Sequence, residues 1–215
     1  MGSNCCQGVK FEGVSSGYKR ILWIVIAINF TMFLVEISAG WNAQSQALKA
    51  DALDFLADST TYAISLYVIG KSIQLRSTAA LFKGISLSLI GVWVLASTLY
   101  RLFVAPSPEP FIMGSVAMLA LIANLLSVLL LIKYRDGDSN VRSVWLCSRN
   151  DAIGNIAVLL AAAAVWQTKT PWPDLLVALL MASLFLSSSF QIIKQSLDEK
   201  RQASEQPTPS CQTRQ

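Results

Sequence analysis

Five stretches of this chain, residues 21–35, 84–100, 110–132, 152–168 and 175–193, carry no charged side chain, and a sixth, 37–70, is half polar. About 20 such residues in helical form match the hydrocarbon thickness of a bilayer. In lipid the backbone must satisfy its own hydrogen bonds, which leaves helices or a closed barrel, and apolar runs of this length are helical. Over its 215 residues the chain is only 14% charged, against roughly 25% in soluble domains. Its net charge of +4 is thinly spread and forms no basic patch, so a nucleic-acid partner is excluded.

The fold class expected is therefore all-α integral membrane, with six transmembrane helices at about 20–40, 46–70, 78–104, 111–133, 141–168 and 171–195. Polar turns with Gly, Pro, Asn and Asp separate them, among them Gly40-Trp41-Asn42, the prolines 106, 108 and 110, residues 136–140, and Pro171-Trp172-Pro173-Asp174. Residues 1–19 are expected as a cytoplasmic tail without a cleavable leader, 20–197 as the membrane domain, and 198–215 as a disordered cytoplasmic tail. Of the seventeen Lys and Arg residues, all but Lys49, Arg101, Arg149 and Lys169 fall on the side of the N-terminus. By the positive-inside rule that places both termini in the cytoplasm. Cys5, Cys6 and Cys211 sit in the tails and form no disulfide framework.

Function has to be read from side chains that a bilayer rejects, since each ionisable residue in a span costs about 2.5–3.5 kcal/mol on insertion scales. Asp54 and Asp58, four apart, put two carboxylates on one helix face a turn apart. Such a pair persists in an apolar helix only with a cation between the groups or a shared proton. Asp51 extends the stripe as a supporting group, with Lys49 near enough to compensate it. The fifth span repeats the pattern in Cys147, Asp151 and Asn155, again spaced by four. Three carboxylates and a thiolate supply the four donors of a tetrahedral zinc-like site. The sulfur tilts preference toward zinc or cadmium and away from magnesium or calcium. Arg149 lies off this stripe and is expected to pair with Glu36 or to reach the inner surface. Asn29 and Asn124 read as interhelical hydrogen-bonding groups.

These residues resemble the transmembrane domain of the cation diffusion facilitator family of divalent-metal exporters. The likeness runs from about residue 18 to 198. It rests on Asn29, Glu36 and Gly40, on Ser45 to Asp58 with its Asp54 and Asp58 pair, on Asn124, and on Arg149-Asn150-Asp151 through Asn155. Cys147 stands where the family has His or Asp, there is no His anywhere, and no counterpart of the family's cytoplasmic C-terminal domain is expected after Asp198.

The resemblance implies a transporter and not an enzyme, exporting a divalent transition metal from the cytoplasm by proton antiport. Zinc is the first cargo expected, with cadmium, cobalt, manganese or iron as others, and no prosthetic group. Asp54, Asp58, Cys147 and Asp151 are the candidate metal ligands, with Asp51 and Asn155 behind them. The resemblance also implies a homodimer, for which the third span and the run Ser183, Ser187, Ser188 and Ser189 offer small-residue surfaces. The alternative reading is a non-transporting membrane partner that modulates a full-length metal transporter.

Overall fold

A computed structural model describes residues 16–68, 73–104, 107–134 and 139–205, with side chains except at 68, 73–77, 139–144, 146–147, 199–200 and 202–205. Every regular element among them is helical: α1 (Ser16–Asn42), α2 (Gln46–Val68), α3 (Ile73–Val104), α4 (Pro110–Leu131) with a 3-10 turn at Ile132–Tyr134, α5 (Ser139–Thr168) and α6 (Trp172–Glu205). Pro110 opens α4 at the first helical position, where its missing N–H costs nothing. The expected boundaries hold within a few residues except at the last helix. α6 continues to Glu205, past the point at Asp198 where a disordered tail was expected. Residues 198–205 are mostly good helix formers, and they prolong a helix whose costly nucleation is already complete.

Five of the helices are long and apolar enough to cross a membrane, over Ser16–Asn42, Thr78–Val104, Pro110–Tyr134, Ser148–Thr168 and Trp172–Asp198. Their outer faces carry large apolar side chains, such as Trp23 and Phe30 on α1, Phe111 and Leu129 on α4, and Leu176, Leu180 and Leu184 on α6. A continuous surface of this kind is a liability in water and the natural complement of lipid. The chain is a multi-pass integral membrane protein. α2 is the exception, since Lys49, Asp51, Asp54 and Asp58 crowd it, and it packs against α1, α3, α5 and α6.

The helices pair as α1 with α2, α3 with α6, and α4 with α5. Two buried apolar layers lie at opposite ends of the bundle. One joins Tyr18, Leu22 and Val25 of α1 to Tyr62 of α2 and Leu131 of α4. The other gathers Ala39, Ala47, Leu48 and Ala50 of α1 and α2 with Met113, Val158, Ala182 and Phe185 from the remaining helices. Gly40 allows α1 and α2 to meet closely there, because a Cβ at 40 would lie 2.9 Å from Lys49 Cγ. At the α3–α6 seam a Cβ at Gly84 would lie 2.7 Å from Ile193 Cγ1. Ser88 and Ser189 share a hydrogen bond of 2.9 Å across the same seam. Ser189 is thus used inside the protomer, which removes it from the surface offered for a homodimer, while Ser183, Ser187 and Ser188 remain exposed.

Candidate metal centre

Midway between the two apolar layers, Asn29 of α1, Asp51, Asp54, Phe55 and Asp58 of α2, Asn124 of α4 and Asp151 of α5 line one cleft. It holds about 140 Å³ of interatomic space, too finely divided for a water molecule to enter. Helical spacing delivers this arrangement. Residues 51, 54 and 58 fall on the face of α2 that meets α5, and 151 and 155 lie one turn apart on the face of α5 that looks back.

Asp151 comes within hydrogen-bonding range of both Asp54 and Asp58, so three carboxyls from two helices meet. Asp58 is 8% exposed and Asp51 2%, which places both charges where water contributes little solvation. Among the described residues, no three acidic, Cys or His side chains are spread so as to grip an ion as they stand. Cys147 falls in α5 one turn before Asp151, and its side chain lies outside the described residues.

Behind the cleft runs a chain of amides. Asn124 Nδ2 donates to Asn155 Oδ1 at 2.9 Å, and Asn155 Nδ2 donates to Asp51 Oδ2 at 2.6 Å. α4, α5 and α2 are tied in sequence by these bonds, and Asn124 bridges two helices as expected. Asn29 differs from its expectation. Its amide donates to Val25 O of its own helix at 2.8 Å, so it lines the cleft without bridging helices.

Other charges also sit differently from their sequence reading. Lys49 does not compensate Asp51, because two residues along a helix turn by about 200°. Its Nζ lies 4.0 Å from the centre of the Trp41 ring, and the nearby carboxylate is Asp174. Arg149 does not reach Glu36; it is exposed, with its guanidinium 5.4 Å from the Trp145 ring and 3.5 Å from Asn150 Oδ1. Glu36 is fully buried and its carboxyl lies beside that of Asp51. Lys83, counted among the inner-side charges, belongs to α3 and is near enough to act electrostatically on Asp54 and Asp58.

Tyr62 was missed. Its hydroxyl donates to Asp58 Oδ2 and lies 3.4 Å from Ser148 Oγ of α5. It sits four residues beyond Asp58, so the stripe 54, 58, 62 carried the signal. Asp174 was read only as part of a turn, yet it is 1% exposed and accepts bonds from the start of α2, from Ser45 Oγ at 2.5 Å, Gln46 N at 2.7 Å and Ala47 N at 3.1 Å.

Helices with lipid-facing outer surfaces surround a buried acidic cleft, the arrangement of a multi-pass membrane protein. The sequence of residues 22–199 matches the family model of the cation efflux transmembrane domain, and the chain belongs to that family. Three curated relatives illustrate the likeness. The metal cation efflux system protein CzcD of Cupriavidus metallidurans is 28% identical over 194 residues, which is 85% of this chain and 61% of CzcD. The zinc transporter ZitB of Yersinia pestis is 28% identical over 201 residues, 86% of this chain and 63% of ZitB. The cadmium, cobalt and zinc/H(+)-K(+) antiporter of Bacillus subtilis is 24% identical over 193 residues, covering 83% and 62%. The chain spans about three fifths of the length of these relatives.

Proposed function

We propose that this protein exports a divalent transition metal, with zinc as principal cargo, from the cytoplasm in exchange for protons. All six helices span the bilayer in this reading, with both termini cytoplasmic, and Asp54, Asp58, Asp151 and Cys147 form the ion's site. The observation that carries it is the meeting of three carboxyls from α2 and α5 in one cleft between two apolar layers. An anionic site there is unfavourable when empty and is relieved by a divalent cation or by protons. The names of the relatives support zinc among the cargoes and protons, beside potassium, among the exchanged ions.

Coupling follows from competition. Ligands must be deprotonated to bind metal, so protons arriving from the far side displace the ion, and loss of those protons to the cytoplasm readies the site for another. In wet terms, zinc affinity falls as pH falls. Proteoliposomes containing only this chain test the reading. Zinc entry accompanied by proton movement in the opposite direction is expected, and a chain that stays inert under a steep zinc gradient would overturn it.

A further inference from the structure

The contact between Asp174 and the start of α2 lies outside the lining of the cleft and is made of three hydrogen bonds to one carboxylate. One carboxylate receives the Ser45 hydroxyl and the Gln46 and Ala47 amides. Ser45 Oγ in turn accepts from Leu48 N at 3.0 Å. The first amides of a helix have no partner of their own and carry the positive end of its dipole. A helix usually satisfies them with a capping residue of its own. Here α2 draws on Ser45 and on a carboxylate 128 residues away in sequence, at the head of α6.

The neighbourhood is held just as firmly, but at the turn before α2. Gln44 has a left-handed φ of 56°, and Arg101 of α3 donates to its backbone carbonyl at 3.0 Å and to its side-chain oxygen. Glu109 N, at the head of α4, donates to Ala43 O at 2.9 Å. Three other helix ends therefore converge on the α1–α2 connection. Of these three, Asp174 alone bonds the backbone of α2 itself, the helix that carries Asp51, Asp54 and Asp58. The apolar layer directly below contains Ala47, Leu48 and Ala50, so an ion leaving the cleft in that direction passes α2 at this level.

We propose that Asp174 is a positioning residue for transport: by pinning the N-terminal end of α2 to α6 it closes the end of the bundle away from the cytoplasm, and release of that pin opens the exit. The proposal rests on the exporter reading and its orientation. It assigns to Asp174 no contact with the ion; the residue acts through α2.

The test uses the full chain in oriented proteoliposomes, with Cys5, Cys6 and Cys211 changed to Ser and Cys147 kept. Thiol reporters are Ala50→Cys in the layer below the junction and Val25→Cys in the opposite layer, both positions fully buried. A membrane-impermeant maleimide is added from either side, and labelling is located by peptide mass spectrometry. Asp174→Asn should raise labelling of the position 50 reporter from the non-cytoplasmic side about threefold or more. It should also lower labelling of the position 25 reporter from the cytoplasmic side, because a two-state equilibrium that gains one form loses the other. Ser45→Ala, a milder change, should move both in the same directions. Unchanged labelling in both variants overturns the proposal. So does a rise at both ends, which is what simple loosening of the fold produces. Zinc uptake by the wild type in the same vesicles separates the two claims. Uptake without a labelling shift leaves the exporter standing and removes the pin. A reciprocal shift without uptake retains the pin as a conformational element and removes the exporter.

Discussion

Asn155 Nδ2 holds Asp51 Oδ2 at 2.6 Å while Asn155 Oδ1 is itself held by Asn124, so a buried carboxylate on α2 is oriented by a side chain that is oriented in turn. Replacing Asn155 by Ala leaves Asp51 and Asn124 each short of a partner. Stranding a buried polar group costs about 1–3 kcal/mol, so the variant should unfold at a lower temperature in detergent. Its zinc affinity should fall about tenfold or more, as when supporting residues behind a metal site are removed. Thermal unfolding and zinc titration of Asn155→Ala measure both.

Asp54→Asn and Asp58→Asn remove one charge while keeping shape. Insertion and folding should survive, because an amide is cheaper in the membrane than a carboxylate. Zinc binding and proton-coupled flux should be lost, since the amide neither balances a divalent ion nor releases a proton. Calorimetry on the purified variants, beside flux in vesicles, checks the pair. A well-folded Asp58→Asn with wild-type zinc affinity would remove Asp58 from the site.

Tyr62→Phe takes away a hydroxyl donor to Asp58. A bound divalent cation would supply the missing compensation, so the variant should be destabilised by about 1–3 kcal/mol in metal-free buffer and less when zinc is present. The stabilisation conferred by saturating zinc should therefore be larger in Tyr62→Phe than in the wild type. Melting curves with and without zinc read this directly, and an equal zinc-induced shift in both proteins would contradict it.

Cys147 sets the expected selectivity. Cys147→Asp gives an all-oxygen donor set and should shift preference from zinc or cadmium toward manganese or iron, whereas Cys147→Ala should weaken zinc binding strongly. Competition binding among these metals distinguishes the outcomes. Unchanged affinity and order in both variants would mean that the thiol is simply packed.

At the α3–α6 seam, Gly84→Val forces a branched side chain into Ile193, whose Cγ1 would be 2.7 Å from a Cβ. Overpacking of this kind costs about 1–3 kcal/mol. The melting temperature should drop with little change in zinc affinity, because the side chain added at Gly84 meets Ile193 and Ile192 of α6 and not the cleft; a large loss of affinity would show that Lys83 beside it was displaced as well.

The sequence made the helices and the acidic stripe legible because both depend on short-range spacing. Asp51, Asp54 and Asp58 share a face of α2 by arithmetic alone, and Asp151 and Asn155 do so on α5. What escaped depends on which helices meet. Asp174 finds Gln46 across 128 residues, a pairing that no local pattern encodes, and a carboxylate beside Pro171 and Pro173 reads as an ordinary turn residue. Tyr62 was hidden by its aromatic character, since a tyrosine in an apolar run passes for core until its hydroxyl is followed. Lys49 was assigned to Asp51 by closeness along the chain, when helical rotation sends the two apart. Ser189 was assigned outward with its neighbours, when it faces Ser88 across the seam.

α6 runs without a glycine, and its only proline stands in the first turn, from Trp172 to Glu205. Its 34 residues span about 50 Å at 1.5 Å per residue, and beyond its first turn serine hydroxyls bond back to the preceding turn, Ser183 to Leu179 O and Ser189 to Leu186 O, a local bending influence. One unbroken helix therefore carries both Arg201, near its C-terminal end, and Asp174, which bonds the start of α2, so the two ends of the bundle share a single covalent and hydrogen-bonded strut.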